Sequence, residues 1–307
     1  MQAALKTKLE ARAKLYHDIR CFFIERGVVE VETPLLCSHT VTDVHIESIA
    51  TQNRFLQTSP EYCMKRLLAA GSGPIFQICK AFRHEESGSN HNPEFTMLEW
   101  YRPGFDHHQL MQELDELIQT LFHSPPAIKQ SYRDCFLEHL NIDPLTCDIQ
   151  IFNNIILQHD LLQSLSGIDR DTALQVILSG LIEPKIGQQQ PFFIYDFPAS
   201  QAALAKIRDD TPPVAERFEL YYKGFELANG FHELTNADEQ LKRFEADQKK
   251  RHTLHLAVPD IDNFFIDALK QGIPNSAGVA VGLDRILMLL TNNSSIQKVL
   301  SFDWDHS

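Results

Sequence analysis

The stretch from Glu216 to Asn229 constrains the fold more than any other. Residues Glu216 to Tyr222 and Phe225 to Asn229 read as two strands with only Lys223-Gly224 between them. Strands joined by so short a turn lie antiparallel. Earlier in the chain, Ile75 to Cys79 and Glu94 to Tyr101 read as strands on either side of a polar loop from Arg83 to Asn92. Strands that succeed one another in this way, with helices around them, imply an α+β fold built on a mostly antiparallel sheet. Neither a Walker sequence nor a G-x-G-x-x-G fingerprint argues for a doubly wound parallel sheet instead.

Helices are marked by period and by punctuation. Leu5, Leu9, Ile19, Phe22 and Phe23 outline a first helix that stops before Gly27, a residue suited to a left-handed cap, and Val28 to Pro34 then reads as a strand ended by proline. After a short strand from Phe55 to Thr58, Ser59-Pro60-Glu61 opens a helix, with Ser59 as N-cap, Pro60 at the first helical position and Glu61 favoured by the helix dipole. Asp106-x-x-Gln109 has the form of a capping box before an apolar-periodic helix to Leu121. Residues 123 to 213 are expected to form a helical insert, with one strand at Phe192 to Phe197. A polar helix from Asp238 to Arg251 and a last helix after Gly282 complete the pattern.

Composition removes several classes of function. The chain has 307 residues, 43% of them hydrophobic, enough for a sizeable core. No run approaches the roughly 18 to 20 apolar residues of a membrane span, and the N-terminus is not signal-like, so a cytoplasmic location is expected. The six cysteines show no zinc or disulfide spacing and are expected to be reduced, mostly buried thiols. His107-His108 and His252-Thr-Leu-His255 lack a partnering pattern for a structural metal and read as surface or core residues. A net charge of −13 opposes the counterion release on which nucleic-acid binding rests.

Two separated arginine motifs carry the chemistry. Phe82-Arg83-His84-Glu85 leads into the strand ending at Tyr101, and Gly278-Val-Ala-Val-Gly-Leu-Asp-Arg285 lies near the C-terminus. An arginine is always charged and forks its donors toward phosphate oxygens. The strand after Asn92 puts Phe95, Met97, Glu99 and Tyr101 on one face, so an aromatic ring, a carboxylate and a phenol share a surface.

Over nearly its whole length the chain resembles the catalytic domain of class II aminoacyl-tRNA synthetases, and the lysyl type most closely. Gly27 to Pro34 is similar to motif 1, Phe82 through Phe95 to motif 2, and Gly278 to Arg285 to motif 3. Thr58 to Tyr62, Met64 to Pro74, Asn92 to Pro103 and Glu226 to Glu233 resemble the freestanding lysyl-tRNA synthetase paralogues that attach (R)-β-lysine to elongation factor P.

The resemblance implies amino-acid activation: a carboxylate attacks the α-phosphate of ATP and pyrophosphate leaves. Arg83 and Arg285 become the catalytic residues. Arg83 would grip the α-phosphate, Phe95 and Arg285 would sandwich adenine, and His84, Glu85, Asn92, Glu226, Leu227 and Gly282 would complete the ATP site. Glu219 and Glu226, on neighbouring strands, would hold Mg²⁺. Ser59, Pro60, Glu61, Glu99, Tyr101, Glu233 and Ala280 would form the amino-acid pocket, with Tyr101 and Glu233 at the distal ammonium and Glu61 at the other. Taken as single residues, Glu219 and Glu226 read as solvated strand glutamates, and Glu99 as the partner of Arg102 or Lys65.

The chain departs from the synthetase pattern in two ways. Motif 1 begins near Gly27, which leaves no room for an N-terminal anticodon-binding domain, so anticodon reading is expected to be absent and tRNA not to be the acceptor. Motif 3 has Ala280 where glycine is usual, a methyl that would tilt selection toward a β-amino acid. Motif 1 and Pro34 imply a homodimer. Elongation factor P as protein substrate rests on the resemblance alone. A tRNA or free amine as acceptor, and a catalytically inactive paralogue serving as an amino-acid sensor, are the alternatives.

Overall fold

The structure is a computed structural model that describes residues 2–84 and 88–307. Glu85, assigned above to the ATP site, lies outside the described residues. Helix α1 (Gln2–Glu25) opens the fold. It buries Leu15, Ile19, Phe22 and Phe23 and ends at Gly27, whose φ of +65° is one that a side-chain-bearing residue rarely adopts. The strand expected at 28–34 is only β1 (Val29–Glu30), an edge strand parallel to β5. It fades before Pro34, which has no N–H for a ladder.

A small sheet follows, made of β2 (Leu36–Cys37), β3 (Ala50–Thr51) and β4 (Arg54–Leu56) in the order β2-β4-β3. Helix α2 (Glu61–Ala69) begins one residue later than expected, at Glu61. Pro60, not Ser59, therefore stands at the N-cap, and the Ser59 hydroxyl accepts the Glu61 N–H at 3.0 Å from one residue further out. Then come β5 (Ile75–Phe82), β6 (Glu94–Pro103) and α3 (His107–Phe122). The capping box before α3 is complete: Asp106 Oδ1 accepts the Gln109 N–H, and Gln109 Oε1 accepts the Asp106 N–H.

The 123–213 stretch is helical only in its middle. There α4 (Tyr132–Leu140), α5 (Ile149–Gln158), α6 (Arg170–Ile177) and a π-helical turn at Leu178–Ile182 build a separate apolar cluster around Phe136, Phe152 and Leu174. Its ends are strands: β7 (Ile128–Ser131), β8 (Phe192–Pro198) and β9 (Ile207–Arg208). The run Ile-Lys-Gln-Ser of β7 carries too little apolar pattern to read as a strand. It forms because β8 offers a free edge, and the two pair in parallel.

Strands β10 (Val214–Tyr222) and β11 (Phe225–His232) form the expected hairpin, with Lys223 and Gly224 both at positive φ, as a tight hairpin turn demands. Helices α7 (Ala237–Thr253) and α8 (Asn263–Gln271), strand β12 (Ser276–Gly282) and helix α9 (Leu283–Leu290) end the fold. The large sheet runs β1-β5-β6-β12-β11-β10-β8-β7, with β9 beside β10. All its pairings are antiparallel except β1·β5 and β7·β8. This is the α+β fold the sequence implies.

Strand β6 shows how the sheet divides core from site. Leu98 and Trp100 are wholly buried in the main cluster with Phe23, Phe76, Leu110 and Leu114 of the helices and strand behind them. Met97, Glu99 and Tyr101 alternate to the other face. Buried polar groups fasten the helices across this core: Asp284 of α9 receives Arg12 of α1 at 2.6 Å and the Thr96 N–H of β6 at 2.6 Å. Lys8 and Arg12 also donate to the carbonyls of Leu300 and Val299. All six cysteines are free, but only Cys135 is fully buried, fewer than expected. Among the described residues no helix is long and apolar enough to cross a membrane.

Candidate active site

A cleft runs over the open face of the sheet. Arg83, Asn92 and Phe95 from the β5–β6 side, Glu226 and Leu227 from β11, and Ala280, Gly282 and Arg285 from β12 and α9 line it. Residues up to 202 positions apart in the chain, Arg83 and Arg285, therefore share one wall system. The Arg83 guanidinium lies 5.2 Å from the Phe95 ring centroid. Arg285 donates to the Glu226 carbonyl at 2.6 Å and contacts His91 Nε2 at 2.6 Å, which fixes its fork over the cleft. His84 does not line the cleft. Its half-exposed ring sits 3.7 Å from Glu47.

Beyond the arginines lies a buried group of carboxylates. Ser59 Oγ and Tyr101 Oη donate to the two oxygens of Glu99, at 2.7 and 2.6 Å. Lys65 Nζ sits between Glu61 Oε1 and Glu233 Oε2, 2.6 Å from each, and its side chain is 1% exposed. Neither Arg102 nor Lys65 partners Glu99; Arg102 faces Glu113 at 3.4 Å instead. Burial, and then the Glu61 charge, push Glu99 up to about 7 against the two hydroxyl donors. The Lys65 ammonium, by contrast, is held firmly charged: burial opposes its charge, but Glu233 and Glu61 outweigh it and raise its pKa.

Lys65 thus answers two carboxylates and leaves Glu99 to hydroxyl donors, and the buried Glu233 Oε1 has no hydrogen-bond partner among the described residues. A buried acceptor without a donor is costly, so this group suits a ligand that brings ammonium donors. Gly278 makes the room: a Cβ there would lie 2.3 Å from the Tyr101 ring and 2.5 Å from Glu233 Oε1. Ala280 is the cross-strand neighbour of Glu99 on one side and of Asn229 on the other, at the junction of cleft and carboxylates. Pro60 has no polar role here; it precedes α2 with φ −76° and directs Glu61 inward. Ser59 and Glu61 also border a second cavity, lined by Cys37, Cys63 and Arg66.

Glu219 and Glu226 come together through an irregularity. Along β10·β11 the register shifts between Leu220 and Tyr221, so that Tyr221, not Tyr222, faces Glu226. Since successive side chains alternate, this one-residue slip turns Glu226 to the face that carries Glu219. Glu219 is buried, ion-paired to Arg217 and bonded by the Tyr221 hydroxyl at 2.5 Å. Glu226 is at the rim, its side chain 42% exposed. Desolvation and the Glu219 charge push it up to about 7, with Arg285, Arg217 and Arg83 opposing. A third carboxylate joins them from the insert: Glu183 accepts from Tyr221 at 3.4 Å and is itself pushed up to about 7 by burial and by Glu219.

The sequence pattern left out Glu183 and undervalued Lys65. Lys65 stands four residues after Glu61 on one helix, a spacing that puts the two side chains on the same face and was a usable signal. Glu183 had none, because it reaches the site only through tertiary packing of the insert.

Comparison with known proteins places this geometry. The model of the family "tRNA synthetases class II (D, K and N)" matches residues 1–305. The chain belongs to this family. Among curated relatives, the elongation factor P-(R)-beta-lysine ligase of Histophilus somni (strain 2336) is 52% identical over 309 residues, covering 97% of this chain and 95% of that one. The proteins of the same name from Actinobacillus succinogenes and Vibrio atlanticus are each 50% identical, over 96% and 99% of this chain and 94% and 98% of their own lengths. Within the class II frame, the arginine cleft lies over motifs 2 and 3, and the buried carboxylates lie at its inner end.

Proposed function

We propose that this protein activates (R)-β-lysine with ATP and transfers the β-lysyl group to the ε-amine of a lysine on elongation factor P. The observation that carries the reading is the buried group of Glu61, Glu99 and Glu233, whose one lysine, Lys65, reaches only Glu61 and Glu233, and which adjoins the arginine-lined cleft where Ala280 faces Glu99. Burial pushes Glu99 up to about 7 and Glu233 up to about 8, and the two ammonium groups of a diamino acid would draw both to the charged form. The relatives named as β-lysine ligases, about half identical over nearly the full length, supply the isomer and the acceptor.

In this reading the substrate carboxylate oxygen attacks the α-phosphorus of ATP, the bond to the β-phosphate oxygen breaks and pyrophosphate leaves. Arg83 neutralises charge on the α-phosphate as the five-coordinate centre forms, and so lowers the barrier between two anions. Phe95 and Arg285 enclose the adenine ring, with Asn92, Leu227 and Gly282 around it. The acceptor amine then attacks the carbonyl carbon of the adenylate and AMP departs. Glu61 and Glu233 hold the ammonium groups, which keeps the carbonyl fixed while ordered solvent is displaced.

Mg²⁺ fits the Glu219–Glu226 pair: hard oxygens, and a rim carboxylate whose raised pKa a cation would relieve. Bound there, the ion would neutralise phosphate charge and orient the leaving pyrophosphate. Glu219 would have to loosen its hold on Arg217. The reading includes a cytoplasmic homodimer that does not use tRNA. Ile24, Val29, Leu35 and Leu36, in and around the motif 1 segment, are exposed apolar residues that support a subunit contact there.

ATP–pyrophosphate exchange by the purified protein without tRNA tests the first half-reaction. Exchange favouring (R)-β-lysine over α-lysine is expected, and preference for α-lysine would return the chain to the lysyl-tRNA synthetase type. Radiolabelled β-lysine appearing on elongation factor P, but not on tRNA, tests the second.

A further inference from the structure

On the far side of β11 from Glu233 lies a cluster with no part in the adenylation reading. One ligand atom each of His107, Glu216 and His232 lie within 4.8 Å of one another, and all three residues are buried. They come from three elements: the first residue of α3, strand β10 and the last residue of β11.

Each imidazole rests one ring nitrogen on an outer oxygen. His107 Nε2 meets Asp196 Oδ1 at 3.1 Å. Asp196 also receives Arg208 through both of its oxygens, so it is placed to accept the Nε2–H. In the neutral ring the lone pair is then on Nδ1, which is buried and without a partner among the described residues, in a side chain only 2% exposed. His232 repeats the arrangement: Nε2 faces Asn275 Oδ1 at 2.8 Å, and Nδ1 faces Glu216 Oε2 at 2.5 Å. The short His232–Glu216 contact is a hydrogen bond from Nδ1–H to the carboxylate, and an ion bound here would take the place of that proton, as metals do when they bind histidine. An outer oxygen holding one ring nitrogen while the other is presented to the centre is the usual support of a histidine that binds metal.

We propose that His107, Glu216 and His232 form a structural site for a divalent transition-metal ion of the Zn²⁺ class. Two imidazoles and a carboxylate are ordinary ligands for such an ion, with a water as the fourth; tetrahedral bonds of about 2.0–2.1 Å place ligand atoms about 3.4 Å apart, so His232 Nδ1 and Glu216 Oε2 move apart from 2.5 Å as the ion enters. Arg208 and Lys206, 3.7 and 3.9 Å from Glu216, are partly exposed and make no hydrogen bond to it. Arg208 keeps its bonds to Asp196 and Asp210. The ion would pin α3 to the β10–β11 hairpin, one residue from Glu233.

The test uses the full chain, stripped with a chelator and titrated with Co²⁺ and Zn²⁺ in excess Mg²⁺, which fills the carboxylates of the nucleotide cleft. One tightly held ion per chain, with the visible spectrum of four-coordinate Co²⁺ and a raised melting temperature, is the expected result. His107→Gln should weaken binding by at least about 100-fold, and Asp196→Asn, which only loosens the ring, by about 10-fold. No stoichiometric binding by the wild-type chain overturns the proposal, and so does equal binding by wild type and His107→Gln. In either case a proton, not a metal, bridges His232 and Glu216.

Discussion

Gly278 illustrates how much a single atom decides at the residue scale. A methyl there meets the Tyr101 ring and Glu233 Oε1 at distances no real Cβ adopts, and both neighbours are buried. Gly278→Ala is expected to raise the KM for the amino acid by about 10- to 200-fold while the KM for ATP changes little, as pyrophosphate exchange would show. Ala280 is the opposite case: it already carries the methyl where synthetases have glycine. If that methyl selects the β-isomer, Ala280→Gly narrows the preference for β-lysine over α-lysine, and an unchanged ratio would sink the idea. Glu99 adds a pH dependence. Below about 7 it holds a proton, and above it is a carboxylate. Affinity for a diamino acid should therefore rise from about pH 6 to pH 8, with a proton released on binding near neutrality that calorimetry in two buffers would detect. The unliganded protein moves the other way. Its folded state keeps a proton that the unfolded chain has lost, so its stability falls as pH rises from the ordinary carboxyl range through 7.

Among the elements, those fixed by local chemistry were legible in the sequence and those fixed by neighbours were not. The β10–β11 hairpin announces itself through Lys223-Gly224, and α3 through the reciprocal Asp106–Gln109 box. Strand β7 exists because β8 has an unpaired edge, and no run of four residues encodes that. The same division holds in the candidate site. Arg83, Asn92, Phe95, Glu226, Leu227, Gly282 and Arg285 were found from their motifs, and all of them line one cleft. The slip that turns Glu226 toward Glu219 is invisible in a pattern of alternation, because it breaks the alternation. His107, Glu216 and His232 were passed over for the same reason, being 109 and 16 positions apart along the chain. Element packing also makes a quantitative expectation. Arg12 neutralises Asp284, whose side chain is 3% exposed, so Arg12→Met strands a buried charge. A loss of about 3–5 kcal/mol in urea unfolding is expected, and a loss under 1 would mean that the Thr96 N–H holds the Asp284 carboxylate without Arg12.

For the whole molecule, charge and exposed apolar surface point to its partners. A chain of net charge −13 offers phosphate backbones little, and retention of tRNA at physiological salt is not expected. The apolar residues left in the open around motif 1, Ile24 at 70% and Val29 at 57% exposure, ask for a cover. Sedimentation velocity should find a dimer, and the pair Ile24→Glu and Val29→Glu should shift it to monomer; a wild-type monomer at micromolar concentration would remove the subunit contact from the account.

The clasp of α1 on the end of the chain has a further consequence. Lys8 and Arg12 find their partners at Asp284, Val299 and Leu300. Helix α1 is made 272 to 292 residues before these partners. Phe76, Trp100 and Leu110 can cover its apolar face long before that, but its polar clasp waits for them. The cleft that Arg285 completes closes only then.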